Sequence, residues 1–156
     1  ASDDLWLRWA ALLHDIGKIA IPHNILLKPG KLDDEEWKIM KTHTEKGYRI
    51  ARASKELEPV ADLILHHHER WDGFGYPGKL KGEEIPLLSR IITVIDSYDV
   101  MIHDRPYHKA ISVQAAKEEL RRCSGSQFDP EIVEAYLRLL DTSGKPEEKA
   151  VSAKAQ

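Results

Sequence analysis

Cysteine is nearly absent from this chain: Cys123 is the only one in 156 residues. An intrachain disulfide is therefore excluded, and so is a cysteine-rich zinc or iron–sulfur site. A single cysteine is compatible with a reducing compartment, and the expected location is cytoplasmic. Excess basic charge is missing too. Lys and Arg number 23 against 26 Asp and Glu, for a net charge of -3 and a pI near 6.3. That argues against a duplex nucleic-acid binder, which would show a basic face. It leaves open a small anionic ligand held by a metal and a few cations. No apolar run approaches the roughly 20 residues needed to span a bilayer, and Ala1-Ser2-Asp3-Asp4 does not read as a signal peptide. What is present, 42% hydrophobic and 31% charged residues, describes an ordinary globular domain with one core.

Periodicity predicts six helices and no convincing strand, hence an all-α, single-domain helical bundle. The first helix is expected from Leu5 to about Lys18, with Leu5, Trp9, Leu12 and Leu13 at helical spacing. Ile19 to Leu32, punctuated by Pro22, Pro29 and Gly30, reads as a loop. Asp33 with Glu36 is a capping box for the second helix, whose expected buried stripe is Trp37, Met40, Gly47, Ile50 and Ala51, with His43 on it. The third runs from about Pro59 to Arg70, with Val60, Leu63, Ile64, His67 and Trp71 on one face. His68 sits on its flank, and His66 points away. A glycine-rich turn follows, Trp71-Asp72-Gly73-Phe74-Gly75-Tyr76-Pro77-Gly78. Pro86 opens a fourth helix, apolar on most faces and so central, to about Ile102. Ser112 caps a fifth, ending near Gly125. Asp129-Pro130 starts a sixth, ending near Asp141. The domain is expected over 1–141, with 142–156 a flexible tail rich in Lys, Glu, Ala and Ser.

Taken singly, a histidine on a helix is usually a surface or satisfied core residue; His23, His66, His103 and His108 stay in that class. Asp99 reads as a cap or salt-bridge partner. His14, Asp15, His43, His67, His68 and Asp96 differ, because all occupy or abut faces that otherwise read as core. A carboxylate in an apolar run such as Ile91-Ile92-Thr93-Val94-Ile95-Asp96 is costly to bury unless paired or metal-bound. One shared metal centre satisfies all six together.

His14-Asp15 followed by Gly17-Lys18 resembles the defining pair of the HD phosphohydrolase superfamily. His67-His68-Glu69-Arg70-Trp71-Asp72-Gly73-Phe74-Gly75-Tyr76-Pro77 is similar to the signature of the HD-GYP family. His14 to Pro22, Lys28-Pro29-Gly30-Lys31-Leu32 and Asp104-Arg105-Pro106-Tyr107 extend the match, which covers about Leu5 to Leu140. The resemblance implies an all-helical, metal-dependent phosphodiesterase that hydrolyses cyclic di-GMP to linear pGpG, GMP or both. It implies His14 and Asp15 as metal ligands, with Asp15 bridging two ions and Asp96 completing the first ion's shell. His43, His67 and His68 hold the second. Lys18 acts at the scissile phosphate, Arg105 contacts a substrate phosphate, and Gly75 and Tyr76 line the substrate pocket. Ligation without thiolate favours Fe or Mn over Zn or Ni. As partners it implies diguanylate cyclase domains docking on the Gly75-Tyr76-Pro77 loop, and an upstream receiver or sensor domain.

Two departures stand out. The family domain normally begins with further helices that supply another histidine to the first metal, and this chain is expected to lack them. The position three after Arg105 is usually basic, and here it is His108, followed by Lys109. The competing function is a non-catalytic cyclic di-GMP sensor or a docking module for diguanylate cyclases. A third is a phosphohydrolase of another cyclic nucleotide.

Overall fold

A computed structural model describes residues 2–105 and 108–143. Among them are eight α-helices, two short 3-10 helices and no strand. α1 is Asp3–Leu13, followed by a 3-10 helix at Ile16–Ala20; α2 is His23–Leu26, α3 Asp34–Lys41, α4 His43–Arg52 and α5 Glu58–Leu65. A second 3-10 helix, Gly82–Glu84, precedes α6 (Leu87–Ile102), α7 (Val113–Arg122) and α8 (Pro130–Ser143).

The capping signals read from the sequence are all in use. The Glu36 N–H donates to Asp33 Oδ1 and the Asp33 N–H to Glu36 Oε2, each at 2.8 Å. Ser112 Oγ accepts from the Ala115 N–H at 3.1 Å. Asp129 Oδ1 accepts from the Glu131 N–H at 2.9 Å, satisfying a free donor at the start of α8. Pro86 differs from expectation: its ψ of 135° makes it the residue before α6 rather than its first turn. Of the expected tail, Thr142 and Ser143 complete α8; residues 144–156 lie outside the described residues.

The larger corrections concern where helices stop. The first helix ends at Leu13, not Lys18; the second is two helices broken at Thr42; the third ends at Leu65, before the histidine triplet. The expected loop after Ile19 holds the short helix α2. Burial also differs. α1 buries Ala10 and packs Trp6, Leu7 and Leu13 on the core, while Leu5, Trp9 and Leu12 are exposed. Trp37 is half exposed. α1 is apolar nearly all round, so spacing alone could not choose its inner face.

Two apolar clusters share α6 as a spine. One joins α1, α4, α5 and Ile92 of α6; the other joins Val94 and Tyr98 of α6 to α7, α8 and Phe128. Arg90 ties the spine to the second cluster. Its Nε donates to the Ile85 carbonyl at 3.0 Å and its Nη1 to buried Asp129 at 2.6 Å. The first 3-10 helix lies against α4 so closely that only glycine fits at position 17. A Cβ there would come 1.8 Å from the His43 carbonyl and 2.5 Å from the Gly47 nitrogen. Both obstacles are backbone, so neither can swing away. Gly17→Ala should cost about 3 kcal/mol of stability by overpacking and displace His43. A urea denaturation midpoint equal to wild type would show that the approach is not rigid.

Candidate metal centre

Three of the helix ends that the sequence misplaced are made by histidines, and by the same bond. His14 Nδ1 lies 2.7 Å from the Ala11 carbonyl, His43 Nδ1 2.8 Å from Met40, and His67 Nδ1 2.6 Å from Ile64. Each carbonyl belongs to the last turn of α1, α3 or α5, where it has no intrahelical partner. A carbonyl only accepts, so each Nδ1 carries the proton and each Nε2 presents a lone pair. Thr42 Oγ1 assists the second break by donating to the Ile39 carbonyl at 2.6 Å.

The three Nε2 atoms converge on Asp15, which follows α1. Asp15 Oδ1 faces His43 Nε2 at 3.5 Å and His67 Nε2 at 3.8 Å. Its other oxygen, Oδ2, faces His14 Nε2 at 3.6 Å and accepts from Lys18 Nζ at 2.9 Å. His14 Nε2 is also 3.5 Å from Asp96 Oδ1, one side of α6. Ligand atoms of Asp15, His43, His67 and His68 all lie within 4.8 Å of one another. The structure thus brings the six residues together: four form one tight group, with His14 beside Asp15 and Asp96 beside His14. His66 does not join them: its Nδ1 turns to Glu69 at 3.4 Å. Asp99 pairs with His103 at 3.1 Å and Arg105 at 3.8 Å, as a salt-bridge partner would. Arg105 is therefore placed beyond the end of α6, outside the cluster. Pro106 and Tyr107 of its motif lie outside the described residues.

The residues fit a metal ion. His43 Nε2 and His67 Nε2 are buried and have no hydrogen-bond partner among the described residues, whereas buried polar atoms are normally satisfied. Their distances to Asp15 are too long for hydrogen bonds. Donors each roughly 2.1 Å from one ion stand roughly 3–3.5 Å apart, close to the spacing seen. The imidazole and carboxylate donors suit a borderline transition metal.

The electrostatics follow from crowding. Burial disfavours charge on Asp15, but the facing His67 ring and the Lys18 ammonium overcome it and hold its carboxyl well below the usual range. The facing His14 ring lowers Asp96 against the opposing effect of burial. Burial and the neighbouring His67 and His43 push His68 down to about 3, and burial lowers His43. His14 alone moves up: burial opposes its protonation, but Asp96 and Asp15 outweigh it.

Around the cluster sits a support that motif reading did not assign. Glu69 is buried, and its carboxylate accepts from the Gly78 N–H at 2.5 Å and the Leu80 N–H at 3.0 Å. It thereby clamps the glycine-rich loop onto the histidine turn. Gly75 is pressed against that turn, where a Cβ would meet the Arg70 nitrogen at 2.4 Å. The Tyr76 N–H donates to the His68 carbonyl at 3.2 Å, and the Tyr76 ring stacks on the His68 ring, centroids 5.0 Å apart at 17°. Lys41 Nζ lies 5.4 Å from the centre of the Tyr76 ring. Gly75 is thus a packing residue, and Tyr76 backs a histidine. From α6, Thr93 Oγ1 donates to the His67 carbonyl at 2.7 Å. The available signal for Glu69 was an acid directly before a glycine-rich turn whose N–H groups need acceptors.

Comparison with known proteins agrees with this architecture. A family model described as HD domain matches residues 2–132. A cyclic di-GMP phosphodiesterase of Thermotoga maritima is 50% identical over 135 residues, covering 85% of this chain and 37% of that protein. A cyclic di-GMP phosphodiesterase response regulator of Xanthomonas campestris pv. campestris is 46% identical, covering 85% and 35%. A 3'3'-cGAMP-specific phosphodiesterase of Vibrio cholerae is 42% identical, covering 85% and 26%. A crystal structure of a cyclic GMP-AMP-specific phosphodiesterase of V. cholerae matches with a TM-score of 0.64 at 27% identity, over 87% of this chain and 38% of that one. The chain thus spans 26–37% of the length of these three curated relatives.

The shifted histidines give the metal-stripped protein a defined acid response. His68 and His43 are held neutral in the fold, but protonate near 6.5 once unfolded. The unfolded chain then binds more protons, so stability falls as pH drops from 6.5 toward 3. Asp15 and Asp96, depressed in the fold, extend the loss below their ordinary range. His14, raised, contributes in the opposite sense, and its contribution fades as pH rises through its folded value. In chelator, the thermal midpoint should therefore fall from pH 6.5 to 4, with a shallower slope in His68→Gln. A flat wild-type profile would contradict the neutral assignment.

Proposed function

Because the chain belongs to the HD domain family, and to its HD-GYP type, we propose that it is a metal-dependent phosphodiesterase acting on cyclic di-GMP. The products are the linear dinucleotide pGpG, GMP or both. The observation that carries this reading is the two-sided Asp15. One oxygen looks to His43 and His67, the other to His14 and Lys18. A carboxylate so placed is suited to bridge two ions. Asp15, His14 and Asp96 would hold one, and Asp15, His43, His67 and His68 the other. All-nitrogen and oxygen ligation favours Fe or Mn, with Zn or Ni as alternatives. Such a pair supplies Lewis-acid charge, which lowers the pKa of water and neutralises a phosphodiester.

The chain's own groups then have distinct work. The backbone carbonyls of Ala11, Met40 and Ile64 hold the imidazoles in the ligating tautomer. Lys18, whose Nζ donates to Asp15 Oδ2, would stabilise charge developing on the scissile phosphate. Arg105, half exposed past the end of α6, would orient a second phosphate, with Lys109 as the neighbouring cation. In the same reading the protein is cytoplasmic and follows a receiver or sensor domain. The Gly75-Tyr76-Pro77 loop, beside fully projecting Phe74 (83% exposed), would receive a diguanylate cyclase domain.

Asp15→Asn in the full-length protein should abolish metal retention and cyclic di-GMP hydrolysis together, measured by elemental analysis and product chromatography. His66→Ala, outside the cluster, should do far less; equal damage would overturn the assignment within the triplet. Lys18→Ala should keep metal but slow hydrolysis by on the order of a hundredfold, as when one electrostatic donor is removed. Wild-type protein that holds metal, binds cyclic di-GMP and never cleaves it would replace the enzyme with a sensor.

A further inference from the structure

Asp96, Ser97 and Gln127 line two adjoining hollows. The smaller, about 60 Å³, reaches back to His67 and His68. The larger, about 260 Å³, runs away from the histidines, between α6 and the turn that joins α7 to α8. Sharing three residues, they form one slot that begins at the metal cluster. Its walls are apolar: Val100 and Met101 from α6, and Phe128 from the turn. Phe128 is buried in the second core cluster, so that wall is firm.

The edge of the slot is polar. Gln127 holds its turn through the main chain alone: its N–H donates to the Cys123 carbonyl at 3.1 Å, and its carbonyl accepts from the Trp71 N–H at 3.2 Å. Its side-chain amide makes no hydrogen bond among the described residues. Glu119, on the other side, is oriented by Arg122, whose Nε and Nη2 donate to its two oxygens at 2.8 and 2.5 Å. Cys123 Sγ adds a contact at 3.5 Å. A carboxylate accepts about four hydrogen bonds; Arg122 takes one on each oxygen, so each oxygen can accept one more from a ligand that displaces the weak Cys123 thiol contact on Oε1.

An apolar slot with a few polar groups along one edge suits a planar heteroaromatic ring. Resting on the cyclic dinucleotide reading above, we infer that this slot seats one nucleobase of the substrate and that Glu119 selects guanine. Guanine presents two donors side by side, N1–H and the N2 amino group, and one carboxylate accepts both. Adenine presents a lone pair at N1, which leaves a carboxylate facing another acceptor. Gln127, which both donates and accepts, satisfies either purine and so positions without choosing. Overall likeness does not decide the point, since relatives named for cyclic di-GMP and for 3'3'-cGAMP stand at 46% and 42% identity.

The test compares cyclic di-GMP with cyclic di-AMP on the full-length protein, by calorimetric binding and by hydrolysis rate. Glu119→Gln should shrink the preference for cyclic di-GMP about tenfold, through affinity and KM more than kcat. Met101→Trp, which fills the slot, should weaken both dinucleotides alike. A Glu119→Gln protein that keeps the wild-type preference overturns the base assignment. If wild type hydrolyses neither dinucleotide, the enzyme reading fails by itself. A calorimetric preference for guanine that Glu119→Gln removes would then still sustain the slot.

Discussion

One local interaction organises this protein: a histidine Nδ1–H given to the carbonyl three residues earlier, made by His14, His43 and His67. The bond does two jobs at once. It satisfies a carbonyl that a helix end leaves free, so the helix can stop in a packed interior. It also fixes the tautomer, so the opposite nitrogen must present a lone pair. Three helices therefore end at one place with their lone pairs turned inward, and Asp15 sits where they meet. The two orphaned buried nitrogens, His43 Nε2 and His67 Nε2, are the residual cost of that arrangement in the protein by itself. A cation is the group that relieves it.

The remainder of the structure keeps those ends in register. Gly17 lets the first 3-10 helix touch the α4 backbone, which sets Asp15 against His43. Thr93 and Ser89 on α6 donate to carbonyls of His67 and Leu63, pinning the end of α5. Glu69 draws the glycine-rich loop over the histidine turn, and the loop returns Tyr76 onto His68. Burial there, together with the negative Asp15, pushes the Tyr76 phenol up to about 12, so it stays neutral against a neutral imidazole. The signature segment is thus a brace as well as a surface. Its main chain joins the α7–α8 turn through Trp71 and Asp72, whose N–H groups donate to Gln127 and Ser126. That junction is also where the slot beside Asp96 closes.

Much of this was legible in the residues themselves. The capping signals at Asp33, Ser112 and Asp129 operate through side chains within three positions, so they survive any tertiary context. A single cysteine, away from the histidines in sequence, left nitrogen and oxygen as the donors of the centre. The six ligand-type residues stood out because each lay on a face that otherwise read as core. What the chain could not declare by itself was where its helices stop. Through Lys18, across Thr42 and through His68 the periodicity continues unbroken, and helix and turn differ there by a side-chain bond that spacing does not record. The inner face of α1 was equally hidden, because Leu5, Trp9 and Leu12 are as apolar as the Trp6, Leu7 and Leu13 that pack inward. Only the neighbours chose between them. Tertiary structure alone set His43 and His67 against Asp15, and brought Glu119 and Gln127 to the slot that begins at Asp96. These are contacts between residues far apart in sequence, and no local pattern encodes the distance that makes them.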